Sequence, residues 1–353
     1  AEANRLCNTI SMNILENVGL SGYSTMGLGG VAAYLTDITS RPELTKAVQW
    51  AKSKQLPVLM IGGGSNIIWK DEGFKGLVLV NKIPGYEHQK VDEENSYLII
   101  GAGEVWDSVV ERSVAAGLTG IEALSLIPGS AGATPIQNVG AYGQEISQTL
   151  TTVEAYDTQT DKFVTLAGSD CGFSYRNSRF KSQDRGRYLI TGLTLHLTKG
   201  NPVPPFYGAV QTYFSAHGIT AFTPQALRQA VIDIRNSKLP DPALVKNTGS
   251  FFANPIITKA EFSGINNPDA PMPNWPAGDD SVKLSAAWLI SQAGFVDHHD
   301  PTTGMATWPK QSLVLVNESA KSTADLLAFK QKIVETVQNK FGVTLVQEPE
   351  ILP

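Results

Sequence analysis

Apolar positions along the first half of the chain switch between helical and extended spacing. Helical spacing predicts helices over residues 41–54 and 104–117. Short apolar runs bounded by glycine, proline or polar residues predict strands at 57–61, 76–81, 96–103, 151–157, 162–168 and 187–198. Residues 124–143 follow neither period, and an irregular segment of this length in a compact domain is usually functional. The first half is therefore predicted to mix helices and strands around one long irregular segment.

The second half follows a segment rich in proline and aromatic residues, 201–214, where we expect a domain boundary and a structured loop. Helical spacing then predicts helices over three ranges, 224–238, 281–294 and 323–342. Apolar runs predict strands at 312–317 and 344–352. The length and this change of composition together predict two domains that divide near residue 200.

Composition limits the class of protein. The 353 residues include 28 Lys and Arg and 33 Asp and Glu, for a net charge of −5, and 42% are hydrophobic. Such a chain buries a core, which excludes a disordered polymer, and its weak acidity argues against a protein that grips nucleic acid. The sequence has neither an apolar run of membrane-spanning length nor the start of a signal peptide, so we expect a cytoplasmic protein. Cys7 and Cys171 alone provide neither a disulfide framework nor a cysteine metal motif.

The 32 glycines are more frequent than average, and they cluster in two places. The run GGGSN at 62–66 follows a predicted strand and can bring backbone N–H groups close to an anion, although a tight turn explains it equally well. It matches neither a GxxxxGK[ST] loop nor a GxGxxG that opens a helix. The irregular segment 124–143 is a second loop of small residues. Two such loops in one region favour a large cofactor with a pyrophosphate over an ordinary Ω-loop.

Charged and hydroxyl residues give further candidates. Residues 174–181 place three cations beside an aromatic, where an arginine can pair with a carboxylate, although a solvated basic turn is the simpler explanation. Arg235 and Lys238 end a predicted helix and either complement its dipole or bind a diphosphate. Ser250 lies between a glycine and two phenylalanines, a setting that suits a positioned proton donor, whereas a polar turn is the plainer alternative.

Two acidic patterns remain. Glu348 and Glu350 flank Pro349 in the last predicted strand, so both carboxylates are expected on one face. One of them could act as an acid or base or orient a donor, whereas solvent exposure is the plainer alternative. The DHHD run at 297–300 suggests a metal, but adjacent histidines point apart in a strand, and we expect solvated side chains and no metal site. Four aromatic residues could stack on a ligand or belong to the core: Tyr142, Tyr175, Tyr207 and Trp288.

Seven short motifs lie along the chain: GGGSN, IPGSAGATPIQNVGAYG, YRNSRFK, KLPDP, NTGSFFANP, KLSAAWLI and QEPE. In order and spacing they resemble the UDP-N-acetylenolpyruvoylglucosamine reductase family, flavoenzymes of peptidoglycan precursor synthesis. Each motif alone is weak, but seven in order are highly specific. The resemblance extends from about Tyr23 to Glu350, nearly the whole chain.

The resemblance implies an α+β flavoprotein. Its FAD-binding region, of the vanillyl-alcohol-oxidase type, would cover 1–200 in subdomains of about 1–83 and 84–200, and a C-terminal α+β substrate domain would cover 201–353. A tyrosine loop at about 201–222 resembles the longer form of the family. The implied FAD cradle comprises Gly62, Gly63, Gly64, Ser65, Asn66, Pro128, Gly129, Ser130, Gly132, Ala133, Thr134, Gln137, Asn138, Gly140 and Ala141. The implied catalytic residues are Arg176, Ser250 and Glu350, and the implied substrate-binding residues are Tyr175, Tyr207, Arg235, Lys238 and Asn254.

The family chemistry suits these residue types. NADPH would reduce FAD, and hydride would then pass to UDP-N-acetylglucosamine enolpyruvate to give UDP-N-acetylmuramate. Arg176 and a protonated Glu350 would stabilise the enolic carboxylate, and Ser250 would donate the proton. We expect a monomer with no membrane or nucleic-acid partner. Two alternatives stay open, a flavin-dependent oxidase on the same scaffold and a protein that binds flavin or sugar nucleotide without turnover.

Overall fold

The computed structural model describes residues 12–267 and 269–353. Cys7 and the start of the predicted first subdomain lie outside the described residues. The helices and strands, in chain order, are β1 (Leu15–Gly19), β2 (Val31–Ile38), α1 (Arg41–Ser53), β3 (Val58–Ile61), β4 (Ile67–Trp69), β5 (Phe74–Asn81), β6 (Tyr86–Lys90), β7 (Asn95–Gly101), α2 (Trp106–Ala115), β8 (Leu118–Thr119), β9 (Gly140–Ala141), β10 (Gln144–Glu145), β11 (Leu150–Asp157), β12 (Lys162–Ala167), β13 (Tyr188–Lys199), α3 (Gly208–Ala216), α4 (Pro224–Lys238), β14 (Asn247–Ser250), β15 (Ile256–Thr258), α5 (Lys259–Ile265), β16 (Asn274–Pro276), β17 (Ser281–Leu284), α6 (Ala286–Gln292), β18 (His299–Asp300), β19 (Met305–Trp308), β20 (Gln311–Asn317), α7 (Thr323–Phe341) and β21 (Glu350–Leu352).

The first sheet has the strand order β1-β2-β5-β3, in which β2, β5 and β3 run parallel. Helix α1 begins at the N-cap Ser40, whose side chain accepts a hydrogen bond from the backbone N–H of Glu43. Its apolar face, including Leu44 and Val48, packs against Leu77 in β5. The loop 62–66 leaves the carboxyl end of β3, the position at which parallel sheets usually bind ligands.

The second sheet is antiparallel, with the strand order β12-β11-β13-β7-β6, and β8 also pairs with β13. Helix α2 buries Trp106, Val109 and Val110 in the core that these strands form. A 3₁₀ turn at Glu122–Leu124 leads from β8 into the irregular segment, which contains a second 3₁₀ turn at Ala131–Ala133 and the two-residue strand β9. Its prediction as a region without a long helix or strand is confirmed.

The C-terminal part contains two further sheets, β14-β20-β19-β18 and β15-β17-β16. Helices α6 and α7 pack on the first of these through a core that includes Phe251, Leu289 and Phe329. Helices α3 and α4 form a separate apolar cluster, in which Phe214 packs with Val231. Among the described residues, no helix is long and apolar enough to cross a membrane.

The last strand joins the C-terminal residues to the first region. Strand β21 pairs in parallel with β4, and the backbone N–H of Glu350 donates to the carbonyl of Asn66 at 3.0 Å. The division near residue 200 stays a prediction, and this pairing crosses it.

Three predicted elements differ from the structure. Residues 281–294 are not one helix: Ser281–Leu284 form β17, paired on both sides, and helix α6 starts after Ser285, which caps the backbone N–H of Trp288. The expected loop 201–214 includes the start of helix α3 at Gly208. The last strand is confined to Glu350–Leu352, because Pro349 has no N–H and cannot continue a ladder.

Candidate active site

A cavity of about 360 Å³ lies where the carboxyl end of β3, the irregular segment, β14 and β21 meet, and its size is typical of small-molecule sites. We call it the central cavity. Of the cofactor residues implied by the sequence, those in its wall are Gly62, Gly63, Gly64, Ser65, Asn66, Pro128, Gly129, Ser130, Gly132, Ala133, Thr134, Gln137, Gly140 and Ala141. Four other expected site residues line it as well: Arg176, Arg235, Ser250 and Glu350. The structure therefore gathers motifs from both halves of the chain around one space.

The two small-residue loops are packed against each other. A Cβ on Gly63 would lie 3.1 Å from the Cα of Gly129, so a larger residue would push the loops apart. Ser65 donates its hydroxyl to the carbonyl of Pro128 at 2.8 Å. The Asn66 amide donates to Oε1 of Gln137 at 2.5 Å. These side chains join the loops, and the backbone of the loops faces the cavity.

Asn138 differs from the other expected cofactor residues because it is almost fully buried and lies outside the cavity wall. Its Nδ2 donates to Oε2 of Glu145 at 2.8 Å and to the carbonyl of Ser174 at 3.2 Å. Its Oδ1 accepts from the N–H of Ser147 at 3.1 Å. Asn138 therefore supports the loop from behind, in a left-handed backbone conformation (φ 49°) that asparagine tolerates.

Ser250 ends the short strand β14, which pairs with β20. Gly249 before it has φ +69°, a conformation that glycine adopts without strain, and the register of β14 shifts at this point. Phe251 after it is buried and donates its N–H to the carbonyl of Leu313 at 2.8 Å. The serine is thereby fixed in the cavity wall, and within the described residues its hydroxyl has no hydrogen-bond partner.

The two C-terminal carboxylates meet different arginines. Oε1 of Glu348 lies 3.2 Å from Nε of Arg176, and Oε1 of Glu350 lies 2.6 Å from Nε of Arg185. Burial raises the pKa of Glu348, and this is opposed by Arg176 and Lys181. Burial also lowers the pKa of Lys181, whose Nζ donates to the carbonyl of Glu348 at 3.0 Å. Both carboxylates line the central cavity, but the prediction that they share one face of a strand is wrong, because Glu348 lies outside β21.

The other expected substrate residues lie beside the central cavity and not in its wall. The hydroxyl of Tyr175 accepts from the N–H of Asn254 at 3.4 Å, and Nζ of Lys283 lies 5.1 Å from the Tyr175 ring centroid. Tyr207 is half-exposed and packs edge-on against Tyr142, with ring centroids 5.7 Å apart. Lys238 is exposed in the last turn of α4.

Among the described residues, two buried donors in the cavity wall have no hydrogen-bond partner: Nε of Arg235 and Oγ1 of Thr248. Burial lowers the pKa of Arg235, and the nearby Tyr142 opposes this shift. Buried polar groups are nearly always hydrogen-bonded, so these donors are expected to bind acceptors of a ligand or of water. A cradle of close-packed glycines together with unpaired donors fits a large cofactor with anionic and carbonyl groups, such as FAD.

The run 297–300 is not a metal site in the described part of the chain, where no group of metal-ligating side chains is assembled. His299 lies on the surface with its Nδ1 3.0 Å from Oε1 of Glu318. His298 instead stacks on Phe329, with ring centroids 6.0 Å apart, and burial lowers its pKa. The expected solvated loop is therefore wrong for His298.

Several polar residues of the cavity wall received no individual role from the sequence, among them Lys181, Arg185 and Thr248. Lys181 was within a recognised motif, and Glu348 was considered only as an alternative to Glu350. Thr248 lies two residues before Ser250 in the same motif. Arg185 follows the YRNSRFK motif by four residues, and only its spatial partner Glu350 identifies it.

Comparison with known proteins identifies the class first. Residues 32–166 match the model of the FAD-binding domain family. The fold resembles the crystal structure of 6-hydroxy-D-nicotine oxidase from Arthrobacter nicotinovorans, with a TM-score of 0.51 at 10% identity over 95% of this chain and 87% of that one. The protein is a flavoprotein with an FAD-binding region of the vanillyl-alcohol-oxidase type and α+β architecture, as expected.

The second half identifies the family. Residues 241–352 match the model of the C-terminal domain of UDP-N-acetylenolpyruvoylglucosamine reductase. The UDP-N-acetylenolpyruvoylglucosamine reductase of Alcanivorax borkumensis is 40% identical over 339 residues, 96% of each chain, and that of Thermobifida fusca is 39% identical over 97% of this chain and 99% of its own. The enzyme from Thermus caldophilus has the same fold, with a TM-score of 0.65 at 24% identity over 97% of this chain and all of its own. The chain belongs to the UDP-N-acetylenolpyruvoylglucosamine reductase family.

Proposed function

We propose that this protein uses NADPH to reduce UDP-N-acetylglucosamine enolpyruvate to UDP-N-acetylmuramate, a step of peptidoglycan precursor synthesis. The observation that supports this most is the central cavity, in which two glycine-rich loops of an FAD-binding domain face Arg176, Ser250 and Glu350. Loops 62–66 and 128–141 would hold FAD. The chemistry that FAD supplies when bound is hydride transfer, from NADPH and then to the vinyl methylene carbon of the substrate.

Residues of the chain would stabilise the negative charge that forms on the substrate and would donate the proton. Hydride addition at the methylene carbon leaves enolate character on the neighbouring carbon and its carboxylate. Arg176, with Nη2 held by the carbonyl of Gly140 at 2.7 Å, would bind that carboxylate through a charge-assisted contact. Glu350 would complete the site from β21. A preorganised positive charge such as that of Arg176 stabilises the transition state more than it would in water.

Ser250 would donate its hydroxyl proton to the carbon next to the carboxylate, which completes the lactyl ether. Its hydroxyl is not engaged by the described residues, and its backbone is fixed on both sides. A serine with its ordinary pKa needs a strongly basic acceptor, and a carbon with enolate character is one. Proton delivery and charge stabilisation thus come from separate residues.

Substrate binding would involve residues at the rim. Tyr175 and Asn254 already contact each other, and Nε of Arg235 in the adjoining cavity wall has no hydrogen-bond partner in the described part of the chain. Tyr207 would close over the sugar nucleotide from its half-exposed position, and Lys238 would meet the diphosphate from the surface of α4.

The visible spectrum of the purified protein tests this proposal. The protein should be yellow, anaerobic NADPH should bleach it, and the enolpyruvyl sugar nucleotide should restore the colour without oxygen. Bleached enzyme that is reoxidised by oxygen but not by the sugar nucleotide would support the oxidase instead. A protein that neither binds FAD nor is bleached would reject both enzymes.

Ser250→Ala tests the assignment of the proton donor. Bleaching by NADPH should be nearly unchanged, while reoxidation by the sugar nucleotide should slow by about 10²–10⁴-fold, the usual loss on removing a general acid. Ser263→Ala, on the exposed face of α5, is a matched control in which both half-reactions should keep their rates. Equal slowing of both half-reactions in Ser250→Ala would assign the serine a structural role.

A further inference from the structure

The central cavity contains a second buried carboxylate, Glu348, that the proposed chemistry does not use. Its side chain is 13% exposed, and its Oε1 lies 3.2 Å from Nε of Arg176. The same oxygen accepts from Nε2 of Gln137 at 3.3 Å. One carboxylate oxygen therefore connects the arginine to the loop that lines the cofactor side of the cavity.

The surroundings of Arg176 hold both its backbone and its side chain. Its backbone has φ +54°, a left-handed conformation that is uncommon for arginine and persists only where the surroundings impose it. Nη2 donates to the carbonyl of Gly140 at 2.7 Å, and Nε faces Glu348. Nη1 has no hydrogen-bond partner among the residues that the structure describes. The protein thus holds two of the three guanidinium nitrogens and leaves one for a ligand.

Glu348 is itself fixed from several directions. Its N–H donates to the carbonyl of Phe251 at 2.9 Å, directly after Ser250, and its carbonyl accepts from Nζ of Lys181 at 3.0 Å. Its partner Gln137 accepts from Nδ2 of Asn66 at 2.5 Å. The carboxylate of Glu348 is therefore part of a rigid network that includes both cofactor loops and the segment with the serine.

Glu350 cannot take over this role in the same arrangement, because its carboxylate pairs with Arg185, with Oε1 2.6 Å from Nε. The two glutamates are divided between two arginines, one deep in the site and one half-exposed.

We infer that Glu348 is a positioning residue for the reduction: it orients the Arg176 guanidinium so that Nη1 meets the carboxylate of the enolpyruvyl group, and it links that orientation to the FAD-binding loops. The inference rests on the proposed function. Misplacing a charge-stabilising group by about 1 Å can cost about 10²-fold in rate, which sets the size of the expected effect.

The experiment measures both half-reactions by stopped-flow in the FAD-loaded enzyme. Glu348→Ala should slow reoxidation by the sugar nucleotide by about 10²-fold while leaving bleaching by NADPH nearly unchanged. Glu348→Gln should recover most of this rate, because an amide oxygen still accepts from Arg176 and Gln137. Glu154→Gln, which removes the carboxylate partner of Arg41 in an exposed pair, is the matched control and should behave as wild type.

A double-variant cycle separates positioning from general support. If Glu348 acts through Arg176, then Glu348→Ala should add no further loss to Arg176→Ala, since the interaction is already absent. A purely structural role predicts instead that the losses multiply and that bleaching and FAD retention fall as well.

Three results would overturn the inference: unchanged reoxidation in Glu348→Ala, multiplicative losses in the double variant, or equal slowing of both half-reactions. If Glu348→Ala does not fold, Glu348→Met, which fills the space but has no carboxylate for Arg176, combined with Arg176→Ala provides the same cycle. Failure of the wild-type enzyme to be reoxidised by the sugar nucleotide would reject the proposed function instead, so the two failures are distinguishable.

Discussion

Gly64 offers the sharpest test of the cofactor cradle, because the cost of a side chain there can be worked out from the structure. Its φ is +72°, and a Cβ would lie 2.4 Å from the carbonyl oxygen of Tyr23, a backbone atom that cannot rotate away. The carbonyl of Gly64 also accepts from the N–H of Thr25 at 3.0 Å. Gly64→Ala must therefore shift the loop or the 23–25 segment.

Gly117 provides a matched control with almost the same conformation. Its φ is +73°, but no atom lies within 4 Å of the position that a Cβ would occupy. Gly117→Ala should cost only the left-handed backbone strain, about 1–2 kcal/mol. Gly64→Ala should lose stability through the same strain and, in addition, through the shift of backbone atoms that the new methyl group forces. Overpacking of this kind typically costs about 1–3 kcal/mol.

The assay compares denaturant unfolding of the apoproteins and FAD binding by quenching of flavin fluorescence. We expect Gly64→Ala to be the less stable variant and to bind FAD at least about tenfold more weakly, which corresponds to about 1.4 kcal/mol. Gly117→Ala should keep the wild-type affinity. Equal stability losses in the two variants would refute the steric argument, and an unchanged FAD affinity in Gly64→Ala would remove this loop from the cofactor site.

Two further predictions concern the elements around the site. Asp107 accepts hydrogen bonds from both terminal nitrogens of Arg228 and from the N–H of Leu126. Burial alone would raise the pKa of Asp107, but these bonds outweigh it and hold the pKa below its ordinary value. The stability that the bonds give is therefore present above about pH 4 and is lost as the pH falls further. Asp107→Asn should lower the free energy of unfolding by about 1.5–3 kcal/mol at pH 7. Between pH 5 and 3 the Tm of this variant should fall less than the Tm of the wild type, and parallel Tm curves would contradict the prediction. Tyr207→Ala removes the edge-on contact with Tyr142, worth about 0.5–1.5 kcal/mol, and should raise KM for the sugar nucleotide severalfold without changing bleaching by NADPH. An unchanged KM would mean that Tyr207 does not close over the substrate.

Local sequence patterns were sufficient to predict most of the residues that line the central cavity as candidate site residues. The glycine loops and Ser250 lie in short motifs whose backbone geometry depends on the residues of the motif itself, such as φ +69° at Gly249. The structure brings nearly all of them to one cavity. The order of the motifs predicted the family, and the family matches confirm it.

Interactions between distant segments were harder to predict. The pair Arg176–Glu348 depends on how residues 347–352 align with strand β4, and no local period encodes that register. Strand β17 has four residues, too few to distinguish the alternating apolar pattern of a strand from the apolar spacing of a helix. The sequence therefore predicted one helix that covers both β17 and α6. The prolines that precede Gly208 suggested a loop, although α3 starts at Gly208. A proline disfavours helical backbone at the residue before it, but it allows a helix to start after it.

The parallel pairing of β21 with β4 also sets an order of events during synthesis. Glu348 lies 211 positions after Gln137 in the sequence, and this length takes roughly 10–40 s to translate at typical rates. During that interval the glycine loops and Arg176 have left the ribosome, but the segment that holds them in place does not yet exist. A nascent chain should therefore acquire its yellow cofactor only after residues 347–352 emerge from the ribosome.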